Sequence, residues 1–593
     1  MIFPQPRHIR TFEGQADLGG PLDIQRDLTL PAQGYRLRSG QDGVGIRYRD
    51  ELGLRYALST LDQLRSDLSS WSRPVEIDDC PDLLTRGFLL DVSRDRVPTR
   101  QTLLHLIDVL ALARFTQLEL YIEHTFTFEG EDEVWQDASP LTPDDLHWLD
   151  RVCTSRGIML VGCVNTFGHL ERFLADPRHR HRAENEAGFR RGSVLRAPST
   201  VEPTPANADF ATGLATQVAG CLRSRRINIG ADEPFELGTG KSAERVAEHG
   251  LAEVYLDHLT SLLRPWLDRG FNVEFWADVF VDHPELASRV PAGAIPVVWQ
   301  YDSPASARAV LDQGPLERAA WEDLGADVVG LAAGFRHRAA SLIAAGEPFW
   351  VAPGTGNWNS VLGRLDNAIE NIVDAMDVAA ENACDGMLLT SWGDHGHWDP
   401  VSVSYAPALF GGAAAWCLGT NQDVDLRAVL SQHVFADETG VLGDVLIRVG
   451  SLARSMGVPL LNGSPIVRAL LIEGGMPITE RPDDESRVRA RRELHECLAL
   501  LPDAEPASAE GRLVARELTH AIKLTDFALE LMGDDDAPHA VRALDELLAE
   551  QRACWLLRSQ PGGLQQSLDR FLPLRRQLVH SSTPSARSMG CAR

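Results

Sequence analysis

Residues 227–238 read INIGADEPFELG. A short β-prone run, with Ile227 and Ile229, stops in a small-residue turn that presents two adjacent carboxylates, Asp232 and Glu233. A solvated acidic turn or a helix N-terminus favours the same residue types. A parallel α/β fold, by contrast, puts its chemistry at the C-terminal ends of its strands. Glycoside cleavage needs carboxyl groups in two different proton roles at one spot. The rest of the chain decides between these readings.

From Arg86 onward, short apolar runs alternate with longer amphipathic stretches. Eight runs read as strands: Gly87–Val92, Gln117–Ile122, Met159–Val164, Ile227–Gly230, Asn272–Trp276, Pro296–Gln300, Phe349–Ala352 and Gly386–Thr390. The stretches between them carry helical spacing, as in Thr102–Ala113, Pro143–Ser155, Asn207–Arg223, Glu253–Asp268 and Leu365–Ala380. Eight strand–helix units predict a (β/α)8 TIM barrel, which takes about 250 residues before insertions. A doubly wound sheet is the competing reading, but no GxGxxG or Walker-type loop follows the first strand.

The flanks read differently. Tyr35–Ser39 and Val44–Arg49 alternate apolar and polar residues around a Gly40–Gly43 turn, and Gly53–Leu68 has helical spacing. Residues 1–82 are therefore expected to form a small N-terminal α+β domain, residues 83–420 the barrel, and residues 421–593 a C-terminal helical domain. Helical segments in the last are Leu426–Phe435, Val441–Ser455, Glu485–Leu501, Ala509–Leu531 and Ala540–Leu557. The Ser- and Arg-rich tail is expected to be disordered.

Composition narrows the function. Hydrophobic residues make up 44% and charged residues 24%, as in soluble globular proteins. A net charge of -27 argues against nucleic acid or an anionic membrane as partner. Nine cysteines lie scattered with no CxxC pair, which fits a reducing compartment. No apolar h-region marks the N-terminus and no run reads as membrane-spanning, so a cytoplasmic location is expected. The helical C-terminal part is expected either to shape the mouth of the site or to form a homodimer.

A barrel would gather its strand ends at one mouth. There stand Asp91, Ser93 and Arg94; Glu123 and His124; Asn165, Phe167 and His169; and Asp232 and Glu233. Beyond them come Trp276 and Asp278; Trp299, Tyr301 and Asp302; Asn357 and Trp358; and Trp392 and Asp394. Aromatic faces with acids and amides are how proteins hold a sugar ring. Trp276 and Trp299 either line such a site or cap the barrel interior. His169 either ties a loop or contacts substrate. Tyr121 reads as structural. Asp394, His395, His397 and Asp399 cluster, but their spacing matches no zinc motif, so no metal and no cofactor are expected.

Together these motifs resemble glycoside hydrolase family 20, the β-N-acetylhexosaminidases, over roughly residues 30–420. Residues 86–94 (RGFLLDVSR) resemble the first barrel strand of that family. The resemblance implies that Arg86 holds sugar hydroxyls. Phe167-Gly168-His169 is similar to a Pro-Gly-His turn, with Phe for Pro, and residues 229–233 (IGADE) to a Gly-Gly-Asp-Glu signature, with Ala231 for the second glycine. Trp392-Gly393-Asp394 resembles a tryptophan followed two residues later by a hydroxyl-binding acid.

The resemblance further implies substrate-assisted catalysis. Family 20 enzymes depart from the two-carboxylate scheme and use the substrate's own 2-acetamido oxygen as nucleophile. Glu233 would be the general acid and then base, and Asp232 would accept the acetamide N–H. A tyrosine normally bonds the acetamide oxygen. Here the seventh strand is followed by Asn357 and Trp358 with no tyrosine, so Tyr301 is the candidate, with Asn357 or Trp358 as alternatives. Trp276, Trp299 and Trp392 would wall the pocket, and His169 and Trp358 would add substrate contacts. The expected function is an exo-acting retaining β-N-acetylhexosaminidase taking a carbohydrate with a terminal GlcNAc or GalNAc. The alternatives are an exo-glycosidase for another amino sugar or a disaccharide unit, and a non-catalytic sugar-binding barrel.

Overall fold

Eight parallel strands close into a barrel in the computed structural model. The structure describes residues 1–67, 70–94, 96–191, 194–323, 325–471, 481–533 and 539–582. The Ser- and Arg-rich tail expected to be disordered begins beyond them.

The N-terminal unit is a five-stranded sheet: β1 (His8–Thr11), β2 (Leu22–Arg26), β3 (Tyr35–Gly40), β4 (Gly43–Tyr48) and β5 (Val75–Asp79), in the order β1-β5-β3-β4-β2. Strands β3 and β4 form the hairpin that alternation predicted. The helix Glu51–Ser66 starts where the Asp50 carboxylate accepts from Gly53 N, an N-cap that satisfies one orphan donor. Its Leu61 and Leu64 pack on Tyr35, Leu37 and Ile46 in a core shared with Trp416 of the helix Tyr405–Asn421.

The barrel strands are β6 (Thr85–Asp91), β7 (Gln117–Ile122), β8 (Met159–Val164), β11 (Arg226–Asn228), β12 (Asn272–Trp276), β13 (Ala294–Trp299), β14 (Phe349–Ala352) and β15 (Cys384–Ser391). A small hairpin, β9 (Phe189–Arg191) with β10 (Val194–Arg196), projects from the chain between β8 and β11. All eight expected strands are present. The one that matters most is shorter than expected. Strand β11 ends at Asn228 because that side chain accepts from Gly230 N at 2.9 Å, a local turn that takes the chain off the ladder two residues early.

Helices start where their caps allow. Thr142 and Asp145 form a reciprocal capping box at the head of Pro143–Ser155. Thr204 and Ser303 cap helices that open with proline. The helix over residues 401–421 corrects one expectation. It is long and apolar enough to cross a membrane, yet 89% of it is buried within the protein. Its Gly412 lies against Ala113, where a Cβ would meet the backbone oxygen at 2.3 Å, so small residues here serve helix packing.

Helices Asp484–Leu500, Ala509–Leu531 and Ala540–Arg558 follow the barrel, and their apolar faces join the same hydrophobic cluster as the barrel helices. The junction is also polar. Buried Arg558 pairs with Glu510 at 2.8 Å and Glu517 at 2.7 Å, and Tyr405 Oη donates to Glu510 at 2.6 Å. The Arg558 carbonyl accepts from Thr99 N and Thr102 Oγ1 at the head of the first barrel helix. Eight cysteines among the described residues are free thiols.

Candidate active site

Four residues after β11 build the centre of the site. Gly230, Ala231 and Glu233 have φ of 66°, 66° and 46°, left-handed conformations that L-residues adopt at a cost of about 1–3 kcal/mol each. Tight packing holds them there. A Cβ on Gly230 would sit 1.8 Å from Asn165 Oδ1, so only glycine fits. Ala231 N donates to that same Asn165 oxygen at 3.2 Å, and Tyr255 Oη donates to Ala231 O at 3.0 Å. Gly168 packs on the Asp232 carbonyl, where a Cβ would come within 2.5 Å.

That approach brings His169 to the acid pair. Its Nε2 lies 3.5 Å from Asp232 Oδ2 and 3.4 Å from Glu233 Oε2. The histidine therefore touches both carboxylates and is not a loop tie alone. Burial works against a charged imidazole, but Asp232 and Glu233 outweigh it and raise the His169 pKa well above its ordinary value. Burial likewise opposes ionisation of Asp232, and His169 overcomes it, holding that carboxyl below its usual range. The facing atoms of His169, Asp232 and Glu233 lie within 4.8 Å of one another, close enough to take a cation.

Asp278, just past β12, supports the second acid. Its Oδ2 accepts from Glu233 N at 3.2 Å, and its Oδ1 accepts from Trp299 Nε1 at 3.5 Å. Burial, then Asp232 and Glu233, push its pKa up to about 7. The group thus changes charge near neutrality, neutral below that pH and anionic above it. Asp278→Asn keeps an oxygen acceptor and removes the charge. Its expected effect is the loss of an inflection near pH 7 from the kcat/KM pH profile; an inflection that survives the substitution would assign it to another group.

Across the mouth, Arg94 is the hub. Its guanidinium lies 3.2 Å from Asp394, 3.5 Å from Asp91 and 4.0 Å from Glu123, and it stacks over Tyr121 and Trp392 at 5.2 and 5.0 Å. Tyr121 Oη donates to Glu123 at 2.8 Å and accepts from Asn165 Nδ2 at 2.9 Å. Asn165 thereby links this side to the acid turn. Burial pushes the Glu123 pKa up to about 7, against the opposing pull of Arg94 and with a smaller push from Glu171.

Between the two sides stands an aromatic cluster. Trp276 and Trp392 lie 6.0 Å apart between ring centroids, and Tyr301 stacks on Trp299 at 5.2 Å while meeting Trp392 at 6.3 Å. Asp232 Oδ1 and Trp276 Nε1 are buried polar atoms with no hydrogen-bond partner within the protein. A buried orphan of this kind costs about 1–3 kcal/mol.

Most expected site residues meet here: Asp232, Glu233, His169, Trp276, Trp299, Tyr301, Trp392 and Asp394. Arg86 does not, and this corrects the expectation. It lies at the opposite, N-terminal end of the barrel, fully buried, donating to the carbonyls of Leu83 and Arg114, to Gln33 Oε1 and to Tyr56 Oη. It pins the barrel to the N-terminal sheet, and Arg94 occupies the position at the mouth. Trp358 is 1% exposed and supports Tyr301 edge-on at 5.1 Å, with its Nε1 bonded to Asn462 of the C-terminal region at 2.6 Å. Asn357 is a tie, donating to the Trp392 carbonyl and to Asp399 at 2.9 Å each. The Asp394–Asp399 cluster divides accordingly: Asp394 faces Arg94, while His397 and Asp399 are buried behind it.

Tyr121 lies inside β7, where an aromatic reads as core. Arg94 and Asp278 carried a usable signal: each follows the end of a barrel strand, whereas Arg86 stands at the start of one.

No model of a known protein family matches the chain. A curated relative, hexosaminidase D of Bos taurus, is 23% identical over 291 residues, covering 46% of this chain and 75% of its own. The Flavobacterium johnsoniae family 20 chitobiase aligns over 97% of this chain and 98% of its own at 13% identity, TM-score 0.53. The Vibrio harveyi family 20 exo-β-N-acetylglucosaminidase, solved with N-acetylglucosamine, covers 75% of this chain and 77% of its own at 16% identity, TM-score 0.52. The chain shares the fold of these family 20 glycoside hydrolase structures.

Proposed function

We propose that this chain is an exo-acting, retaining β-N-acetylhexosaminidase that releases terminal β-linked GlcNAc or GalNAc. The observation that carries the reading is the buried, partnerless Oδ1 of an ionised Asp232 next to Glu233. A 2-acetamido group fits it: its N–H supplies the donor, and its methyl packs on tryptophan.

Glu233 protonates the glycosidic oxygen as the bond to the anomeric carbon breaks. The acetamide oxygen attacks that carbon from the opposite face, giving an oxazolinium-like intermediate. Asp232 orients the acetamide through its N–H and offsets the positive charge that develops on it. Tyr301 is assigned the acetamide oxygen. Water then attacks the anomeric carbon, Glu233 accepts its proton, and the acetamide is restored with net retention. Arg94, Asp394 and Glu123 take the remaining ring hydroxyls, a task for charge-assisted bonds.

Aryl glycosides differing only at C2 and C4 test this. Turnover is expected for the β-GlcNAc and β-GalNAc compounds and not for the 2-hydroxy β-glucoside. Equal turnover of the 2-hydroxy compound would overturn the acetamide role. Binding without turnover would make the barrel a sugar receptor.

A further inference from the structure

We infer that Phe235 and Phe189 form a subsite for the leaving-group sugar, on the reducing-end side of the bond that is cut. The inference rests on the proposed role of Glu233. A general acid must reach the departing oxygen, so the leaving group lies on the outer side of Glu233. The chain continues there as Pro234-Phe235. Phe235 N donates to Glu233 O at 2.7 Å, a three-residue turn around a proline with restricted φ that fixes the ring close to the acid.

Phe235 is 40% exposed. The projecting hairpin supports it. Phe189 of β9 stacks on Phe235 at 6.4 Å with 26° between the ring planes, and the Arg191 guanidinium lies over the ring at 4.0 Å. Residues two apart on a strand point to the same side, so one side of the hairpin supplies both contacts while the Phe235 ring keeps its exposure.

Two buried acids hold the segments together. Glu236 Oε1 accepts from Ser199 N, Ser199 Oγ and Thr200 N, joining the loop after Glu233 to the segment that follows the hairpin. Glu184 Oε1 accepts from Gly240 N, Ser242 N and Ser242 Oγ, joining that loop to the segment before the hairpin. The ring pair is thus preorganised, and ordering it on binding costs little. A flat apolar surface beside the acid suits the C–H face of a pyranose.

The test compares hydrolysis of a β-linked N-acetylglucosamine disaccharide with that of methyl β-N-acetylglucosaminide, whose leaving group is too small to reach Phe235. In Phe235→Ala the ratio of the two KM values, disaccharide over methyl glycoside, is expected to rise about tenfold. Phe235→Trp should restore most of the wild-type ratio, which a merely structural role would not predict. An unchanged ratio in Phe235→Ala, with both substrates turned over, overturns the subsite. A wild-type protein that hydrolyses neither compound overturns instead the reading of Glu233 on which it rests.

Discussion

Glu233→Gln is expected to lower kcat on a β-N-acetylglucosaminide disaccharide by about 10²- to 10⁴-fold, the usual worth of a positioned general acid. Glutamine matches glutamate in shape. It keeps the backbone bond to Asp278 and leaves the fold undisturbed, so circular dichroism should not change. What it lacks is a proton to give. The loss should therefore depend on the leaving group. A sugar alkoxide needs protonation as it departs, whereas an acidic phenol such as dinitrophenol needs little. The first step should consequently suffer far less with the dinitrophenyl glycoside than with the disaccharide. Pre-steady-state release of the phenol separates that step from hydrolysis of the intermediate, in which Glu233 serves as base. A glutamine variant with undiminished turnover of the disaccharide would sink the assignment.

The barrel was legible for a physical reason. Parallel strands covered on both faces read as unbroken apolar runs, and all eight lie where those runs do. Strand ends follow from strands, which is why most of the mouth could be named in advance. Position along the strand decides the rest. Arg86 is the second residue of β6 and Arg94 follows its end, so only the second emerges at the mouth. Chain direction alone discriminates them. Other features had no local signal. That Asn462 bonds the Trp358 indole, or that Glu184 and Glu236 fasten a hairpin to the catalytic loop, depends on contacts between segments far apart in sequence. The shortening of β11 depends on one side-chain bond, Asn228 to Gly230. The helix that ends at Asn421 shows the reverse case, in which composition would suit a membrane and only packing reveals a core element.

The second large effect concerns Asp232. Asp232→Ala should reduce kcat/KM on N-acetyl substrates by about 10²- to 10³-fold, the scale of losing one electrostatic contact to a developing charge. Two functions disappear together. The buried Oδ1 no longer receives the acetamide N–H, and the negative charge next to the oxazolinium is gone. Asp232→Asn separates them, because its amide oxygen can still accept while its charge is zero; its loss should fall between wild type and alanine. Asp232 also faces His169 at 3.5 Å, so a competing account would have it act through the histidine on Glu233. The substrate decides between the two. If Asp232 handles the acetamide, alanine lowers the rate on 2-acetamido glycosides and leaves any residual 2-hydroxy hydrolysis unchanged, so the preference narrows. If it works through His169, both substrates lose rate in the same proportion and the preference survives. A stable cyclic mimic of the oxazolinium gives a second measure. Transition-state-like ligands depend on the contacts that catalysis uses, so its affinity should fall in step with kcat/KM across the aspartate, asparagine and alanine forms.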